Sequence, residues 1–146
     1  MDYTYKYPRV LVTVDALVFL IDSSQQFPQI LLIQRKNQPY KDFFALPGGF
    51  IEMDELLCDA AKRELFEETG LQGIELTQLA AFDSIKRDPR DRNICIAYYG
   101  FTTPKNSCVN GGDDAEKAEW FSLEKLPPLA FDHSEIIEFA RKRLNI

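Results

Sequence analysis

Three glutamates lie within five residues of one predicted helix: Glu64, Glu67 and Glu68. At about 100° per residue, Glu67 and Glu68 project within roughly 60° of Glu64, so the three carboxylates share one helical face. Like charges at these spacings destabilise a helix unless something offsets their repulsion. Carboxylate oxygens are the ligands that Mg²⁺ and Mn²⁺ prefer. The pattern therefore indicates either a divalent metal site or an ordinary solvated acidic face.

The helix that must hold these carboxylates has signals at both ends. Asp54 is predicted as its N-cap and Gly70 as its C-terminal cap, which gives about four turns. Leu57, Ala61 and Leu65 recur every four residues, as expected for the stripe that packs on a sheet. The acidic cluster should therefore border the core.

The rest of the chain alternates between predicted strands and helices. Dense β-branched and apolar runs predict strands at 10–21, 28–35, 76–83, 94–101 and 119–121. Residues 45–50, ALPGGF, are interpreted as a glycine-permitted bend. Asp132 and Glu135 form a predicted capping box that opens a last helix ending near Leu144.

Composition limits the class of protein. The 146 residues, 45% of them hydrophobic, predict one compact domain over 1–146. A net charge of -6 argues against broad nucleic-acid binding, but it does not exclude a small phosphorylated ligand in a locally basic pocket. Three widely spaced cysteines indicate neither a disulfide framework nor a zinc site. No leader or membrane-spanning run is recognisable, so we expect a cytoplasmic protein with no membrane partner.

The segment from Gly49 to Leu71 carries a longer pattern than the glutamates alone. Gly49, Glu55, the run RELFEETG and Leu71 match every constrained position of the Nudix box, so the segment at 49–71 resembles the Nudix hydrolases. The resemblance implies an α/β fold, an α/β/α sandwich with a mixed β-sheet. It also implies metal-dependent hydrolysis of a nucleoside diphosphate linked to another group, with Mg²⁺ or Mn²⁺ as cofactor.

The same resemblance assigns roles to individual residues. It implies that the metal is held by the carboxylates of Glu64, Glu67 and Glu68 and by the carbonyl of Gly48. Arg63 resembles the arginine that orients these carboxylates, and Glu55 the glutamate that supports the helix. The general base is implied to be Glu64 or an acidic residue of the loop 111–116, for which Asp114 and Glu116 are candidates; a solvated turn is the alternative for that loop.

Three further stretches, ALPGGF, RDPRDR and LAFDH, resemble the ADP-ribose pyrophosphatase branch, which also includes ADP-ribose-sensing regulators. The residues expected to bind substrate are Arg35, Phe44, Arg87, Arg90 and Arg92. Guanidinium groups match phosphate oxygens and a phenyl ring can stack on a base, although a structural role remains the alternative for each. The single histidine, His133, starts a predicted helix, where a structural role is favoured over a catalytic one.

These observations favour an enzyme that cleaves ADP-ribose to AMP and ribose 5-phosphate, with a small-molecule nucleotide as its partner. The alternatives are a nucleoside triphosphate pyrophosphohydrolase that removes damaged nucleotides and a non-catalytic ADP-ribose sensor. About twenty residues follow Leu126, which we expect to be too few for an appended DNA-binding domain. A homodimer is the assembly that the resemblance implies.

Overall fold

The central strand of the sheet, β1 (Leu11–Leu20), is buried from Thr13 onward. Its apolar and β-branched run is typical of a strand that is covered on both faces. The computed structural model describes residues 2–112 and 115–146, and the side chains of all of these except 115 and 116.

The other elements follow in chain order: β2 (Gln29–Arg35), β3 (Phe44–Ala45), β4 (Gly48–Phe50), α1 (Leu57–Thr69), β5 (Thr77–Phe82), β6 (Asn93–Thr102), a 3₁₀ turn (Pro104–Asn106), β7 (Ala115–Ser122) and α2 (His133–Leu144). The four long predicted strands are confirmed to within one residue at either end. The strand predicted at 119–121 is longer than expected. The segment 45–50, interpreted as a bend, contributes to two short strands instead.

The described strands form one mixed sheet with the order β3, β2, β1, β6, β5. β1 pairs with β6 in parallel, whereas β4 pairs with β1 and β7 pairs with β2 in antiparallel fashion. This mixed sheet confirms the strand arrangement that the resemblance implied.

The core has two halves because side chains alternate along β1. Leu17 and Phe19 join a buried cluster with Ile136 of α2. Ala16 and Val18 join a second cluster with Leu65 of α1. The two helices therefore cover opposite faces of the sheet, which confirms the α/β/α sandwich.

Two glycines allow β4 to lie unusually close to its neighbours. Neither Gly48 nor Gly49 has a positive φ. A Cβ at Gly48 would overlap the carbonyl oxygen of Val14 and the carboxylate of Asp15, and one at Gly49 would lie 2.7 Å from Cδ of Glu64. The glycines are therefore needed for close approach, not for a turn.

The sequence predicted the C-terminal end of α1 correctly but not its N-terminal end. Gly70 has φ 77° and its N–H donates to the Phe66 carbonyl, which confirms the predicted C-terminal cap. The predicted N-cap at Asp54 is wrong, because the helix begins at Leu57 and the preceding Leu56 makes no side-chain cap.

Asp132, at the start of α2, binds a residue that is distant in sequence. Asp132 occupies the N-cap position, but its side chain makes no cap, so the predicted capping box is wrong. Both carboxylate oxygens instead accept hydrogen bonds from Arg87, at 2.9 and 2.7 Å. The two side chains are 11% and 3% exposed, so this buried ion pair fastens the loop between β5 and β6 to α2.

We expect Asp132→Ala to destabilise the fold by about 3 to 5 kcal/mol, because the Arg87 guanidinium would remain buried without its partner. Glu124→Ala is the matched control, since it removes a more exposed ion pair with Arg141 and should cost less than about 1 kcal/mol. Denaturant unfolding of both variants checks this. Equal small losses would show that the Arg87 pair does not anchor the loop.

Candidate functional site

A cavity of about 480 Å³ gathers charged residues from distant parts of the chain. Its lining includes, from the predicted site residues, Arg35, Gly48, Arg63, Glu64, Glu68, Arg87 and Arg90. Four other predicted site residues, Phe44, Glu55, Glu67 and Arg92, are not part of the lining. The cavity therefore carries carboxylates and guanidinium groups at the same site.

Two carboxylates of α1 meet at the cavity. Glu68 is 7% exposed, and its Oε1 accepts a hydrogen bond from the Gly48 N–H at 3.3 Å. Burial, together with the hydrogen bond and negative charge of Glu64, raises the pKa of Glu68 to about 9. In the metal-free protein the Glu68 carboxyl therefore carries its proton at neutral pH.

Arg63 connects the carboxylates around this pair. Its guanidinium donates to Glu55 at 2.6 and 3.0 Å, to Glu64 at 2.9 Å and to Glu67 at 3.3 Å. It also donates to the Phe50 carbonyl at 3.2 Å, which ties β4 to the helix. The hydrogen bonds to Glu55, the largest cause, and to Glu64 raise the pKa of Arg63 against the opposing effect of burial. The side chain thus holds three glutamates in fixed positions.

The oxygen donors suit a hard divalent cation. Within the described residues, no three His, Cys, Asp or Glu side chains already converge as a metal site. The Glu67 carboxylate is bonded to Arg63 instead. Glu64 and Glu68 nevertheless present adjacent carboxylates beside the Gly48 backbone, and a cation can replace the proton on Glu68. The donor set therefore fits Mg²⁺ or Mn²⁺.

A buried polar trio adjoins the cavity, and two of its members, Asp15 and His133, line it. Nδ1 of His133 accepts the Leu46 N–H at 3.0 Å, and its Nε2 lies 3.4 Å from Oδ2 of Asp15. The Cys95 thiol donates to the same oxygen at 2.9 Å. Burial opposes ionisation of Asp15, but these partners hold its pKa below the usual range, while burial raises the pKa of the Cys95 thiol. These contacts hold α2 against the segment between β3 and β4.

Sequence reasoning missed Asp15 and Cys95 because both lie inside apolar strands. A signal was present for Asp15, which is the only charged residue in the run from 10 to 21. A lone aspartate in a strand that is otherwise apolar must be bonded when buried.

The three arginines of the loop between β5 and β6 have different positions. Arg87 is paired with Asp132, and Arg90 donates to Asp88 at 3.0 and 2.7 Å. Burial opposes ionisation of Asp88, but the Arg90 hydrogen bonds lower its pKa to about 2. Arg92 donates to the Asp83 carbonyl at 2.7 Å and holds the loop together away from the cavity. Arg87 and Arg90 thus reach the cavity and Arg92 does not.

The aromatic ring at the cavity is not the one expected. Phe44 packs against Phe121, with ring centroids 4.8 Å apart, on the core cluster that includes α2. Phe44 is therefore not among the residues that line the cavity, and its stacking on a base stays a prediction. Phe131 lines the cavity in its place, and the guanidinium of Arg35 lies over its ring, 5.0 Å from the centroid.

The candidate base Asp114 and the side chain of Glu116 lie outside the described residues. The preceding Gly112 is close to α1, where a Cβ would overlap the Glu67 carbonyl oxygen. The described part of this loop therefore approaches the acidic helix at Gly112, and position 116 belongs to β7 and not to the loop.

The fold and the carboxylate site define a family. A model described as NUDIX domain matches residues 12–140, which is most of the chain. The chain therefore belongs to the Nudix family, which confirms the resemblance of its box at 49–71, and it carries a Nudix hydrolase domain.

Individual relatives give a finer comparison. The chain is 46% identical over 110 residues to an ADP-ribose pyrophosphatase of Methanocaldococcus jannaschii, covering 75% of this chain and 64% of the relative. It is 41% identical over 143 residues to the ADPR responsive transcriptional repressor NtrR of Acinetobacter baylyi, covering 95% of this chain and 56% of the relative. The chain thus spans less than two thirds of both proteins.

One solved structure that is similar to this chain contains a bound ligand. The NUDIX domain of Shewanella oneidensis NrtR, crystallised with ADP ribose, superposes with a TM-score of 0.86 at 32% identity and covers 98% of this chain and 94% of that one.

In the described part of the chain, no helix combines the length and apolar character that a membrane crossing requires.

We expect the stability of the metal-free protein to depend on the protonation of Glu68. Its pKa is about 4.5 in an unfolded chain and about 9 when folded, so the folded state binds more protons between these values. This contribution is full below pH 4.5 and is lost as the pH rises towards 9, by at most about 1.4 kcal/mol per pH unit. Denaturant unfolding in EDTA at several pH values should show a flatter dependence for Glu68→Gln. Parallel pH profiles for the two proteins would contradict this.

Proposed function

We propose that this chain hydrolyses ADP-ribose to AMP and ribose 5-phosphate with Mg²⁺ or Mn²⁺. The observation that carries the proposal is that the Glu64 and Glu68 carboxylates line one cavity with the guanidinium groups of Arg35, Arg87 and Arg90. Carboxylates can bind a metal ion, and guanidinium groups attract a diphosphate. The cavity therefore has both kinds of group that the hydrolysis of a pyrophosphate substrate requires. The likeness to an ADP-ribose pyrophosphatase supports this choice of substrate.

In this proposal Glu64, Glu68 and the Gly48 carbonyl would hold the cation, and Glu67 would join them if its contact with Arg63 were released. When bound, such an ion supplies charge neutralisation and a water of lowered pKa. Arg63 keeps Glu64 oriented through its 2.9 Å hydrogen bond while Glu55 fixes the other side of the guanidinium.

The remaining residues act on the substrate and its proton. Arg90 and Arg87 neutralise part of the diphosphate charge at the cavity, with Arg35 from the end of β2. The proton of the attacking water would pass to a carboxylate, for which we propose Glu64, with Asp114 and Glu116 as the alternatives.

A non-catalytic ADP-ribose sensor is the second candidate. The 41% identity to an ADPR responsive repressor and the similarity to an ADP ribose complex both favour it. Such a sensor would use the same cavity without turnover. The metal carboxylates and Arg63 weigh towards the enzyme.

The proposal extends to the setting in which the protein acts. We place it in the cytoplasm, because its three cysteines are all free thiols, as is usual in a reducing compartment. Its partner is a nucleotide and not a nucleic acid, in line with the charge of -6. A homodimer is the assembly we propose.

A substrate panel at fixed metal concentration tests the proposal. ADP-ribose should give the highest kcat/KM among ADP-ribose, NADH, dinucleoside polyphosphates, nucleotide sugars and nucleoside triphosphates, and EDTA should abolish turnover. Glu68→Gln should lower kcat by more than about 100-fold, the upper end for groups that only support a metal site. Glu138→Gln, the same change on the exposed face of α2, should have no effect.

Three outcomes would change the account. A preference for a triphosphate or an oxidised analogue would indicate a nucleotide-sanitising enzyme. Tight binding of ADP-ribose without turnover at any metal concentration would indicate a sensor. Wild-type turnover in Glu68→Gln would show that the carboxylate pair is not the metal site.

A further inference from the structure

Phe131 is the point where several cavity side chains meet. The guanidinium carbons of Arg35 and Arg90 lie over its ring, 5.0 and 5.5 Å from the centroid. The rings of Tyr40 and His133 pack beside it, with centroids 4.9 and 5.5 Å away. Residues from the end of β2, from the loop between β5 and β6 and from the start of α2 therefore share one aromatic ring.

The backbone of Phe131 adopts a conformation that bulky residues avoid. Its φ is 52°, in the left-handed region that glycine or asparagine takes more readily. The segment is held on both sides, because the Ala130 N–H donates to the Phe44 carbonyl at 2.8 Å and His133 accepts the Leu46 N–H. A phenylalanine in this position is unfavourable for the backbone, so its ring must contribute something that a glycine would not.

Arg90 shows what the ring contributes. Its Nε and Nη2 are bound by Asp88, and its guanidinium lies over both Phe50 and Phe131 at 5.5 Å. Its Nη1 has no hydrogen-bond partner among the described residues, and the side chain lines the cavity. The Asp88 carboxylate and the two phenyl rings therefore fix the Arg90 guanidinium, and its Nη1 group can donate to a ligand.

Arg35 approaches the same ring from the other strand. Its Nε donates to the Pro39 carbonyl at 2.8 Å, which fixes the head of the side chain near Phe131. Two guanidinium groups at one ring repel each other, and the negative face of the ring and a bound anion both reduce this repulsion. The arrangement is preorganised for an anion that has several oxygens.

We propose that Phe131 is a positioning residue that holds Arg35 and Arg90 as a two-arginine clamp for the diphosphate of the substrate. This inference rests on the proposed function for the identity of the substrate, but the clamp itself requires only an oxyanion. Phe131 does not contact the reacting atoms, and it acts through the two arginines.

The test is a double-variant cycle read by binding. Calorimetric titration in EDTA with inorganic pyrophosphate, and separately with ADP-ribose, measures Kd for the wild type, Phe131→Leu, Arg90→Ala and the double variant. Phe131→Leu should raise Kd about tenfold. In the Arg90→Ala background the same change should raise it by less than about threefold, because Phe131 then has one arginine fewer to position.

Further variants separate positioning from folding. Phe131→Tyr keeps a ring and should bind within about twofold of the wild type. Phe131→Gly loses the packing of the ring but relieves the backbone, which offsets part of the fall in Tm, and it should lose the same binding as Phe131→Leu. Phe27→Leu, at a half-exposed ring outside the cavity, should change nothing. In turnover assays Phe131→Leu should raise KM and change kcat by less than about twofold.

Additive losses in the cycle, or a fall in kcat at unchanged KM, would overturn the clamp, and so would a wild type that binds neither pyrophosphate nor ADP-ribose. If the cycle is non-additive with pyrophosphate but ADP-ribose is never hydrolysed, the clamp stands and the proposed function fails. If ADP-ribose is hydrolysed and the cycle is additive, only the clamp fails.

Discussion

The repulsion between the carboxylates of Glu64 and Glu68 is the constraint on which the site depends. They lie one helical turn apart on a face that is largely removed from water, where two full negative charges would strongly destabilise the fold. Arg63 neutralises the first, the Gly48 N–H bonds the second, and a proton on Glu68 removes the remaining charge. In the metal-free protein, Arg63 and the proton on Glu68 thus compensate the charge of the two carboxylates. A divalent cation can take over this role by replacing the proton.

This constraint extends through the fold by close contacts. Gly49 must lack a side chain because Glu64 occupies the space where a Cβ would lie, and Gly48 must lack one because of Asp15. Asp15 is in turn held by His133 at the start of α2. The acidic face of α1, the glycine strand, the central strand and the second helix are therefore positioned by one continuous set of contacts. The two arginines that reach the cavity from the loop between β5 and β6 have their own anchors. Arg87 is paired with Asp132, and Arg90 with Asp88.

The sequence predicted those features that local patterns encode. The long strands follow from their β-branched runs, the C-terminal cap of α1 follows from Gly70, and the box at 49–71 gave the family. Features set by distant partners could not be predicted in this way. The pairing of Asp132 with Arg87, which replaces a local cap, depends on residues 45 positions apart. Whether Phe44 or Phe131 faces the cavity depends on how β3 packs against Phe121, which a short segment does not reveal.

Proton release on metal binding tests the central claim most directly. If Glu68 holds a proton that the cation replaces, titration of the apoprotein with Mn²⁺ near pH 7 should release about one proton per ion bound. Calorimetry in buffers of different ionisation enthalpy measures this number. Glu68→Gln should bind Mn²⁺ more weakly and release no proton. Binding of Mn²⁺ by the wild type with no proton release would contradict the account of the carboxylate pair.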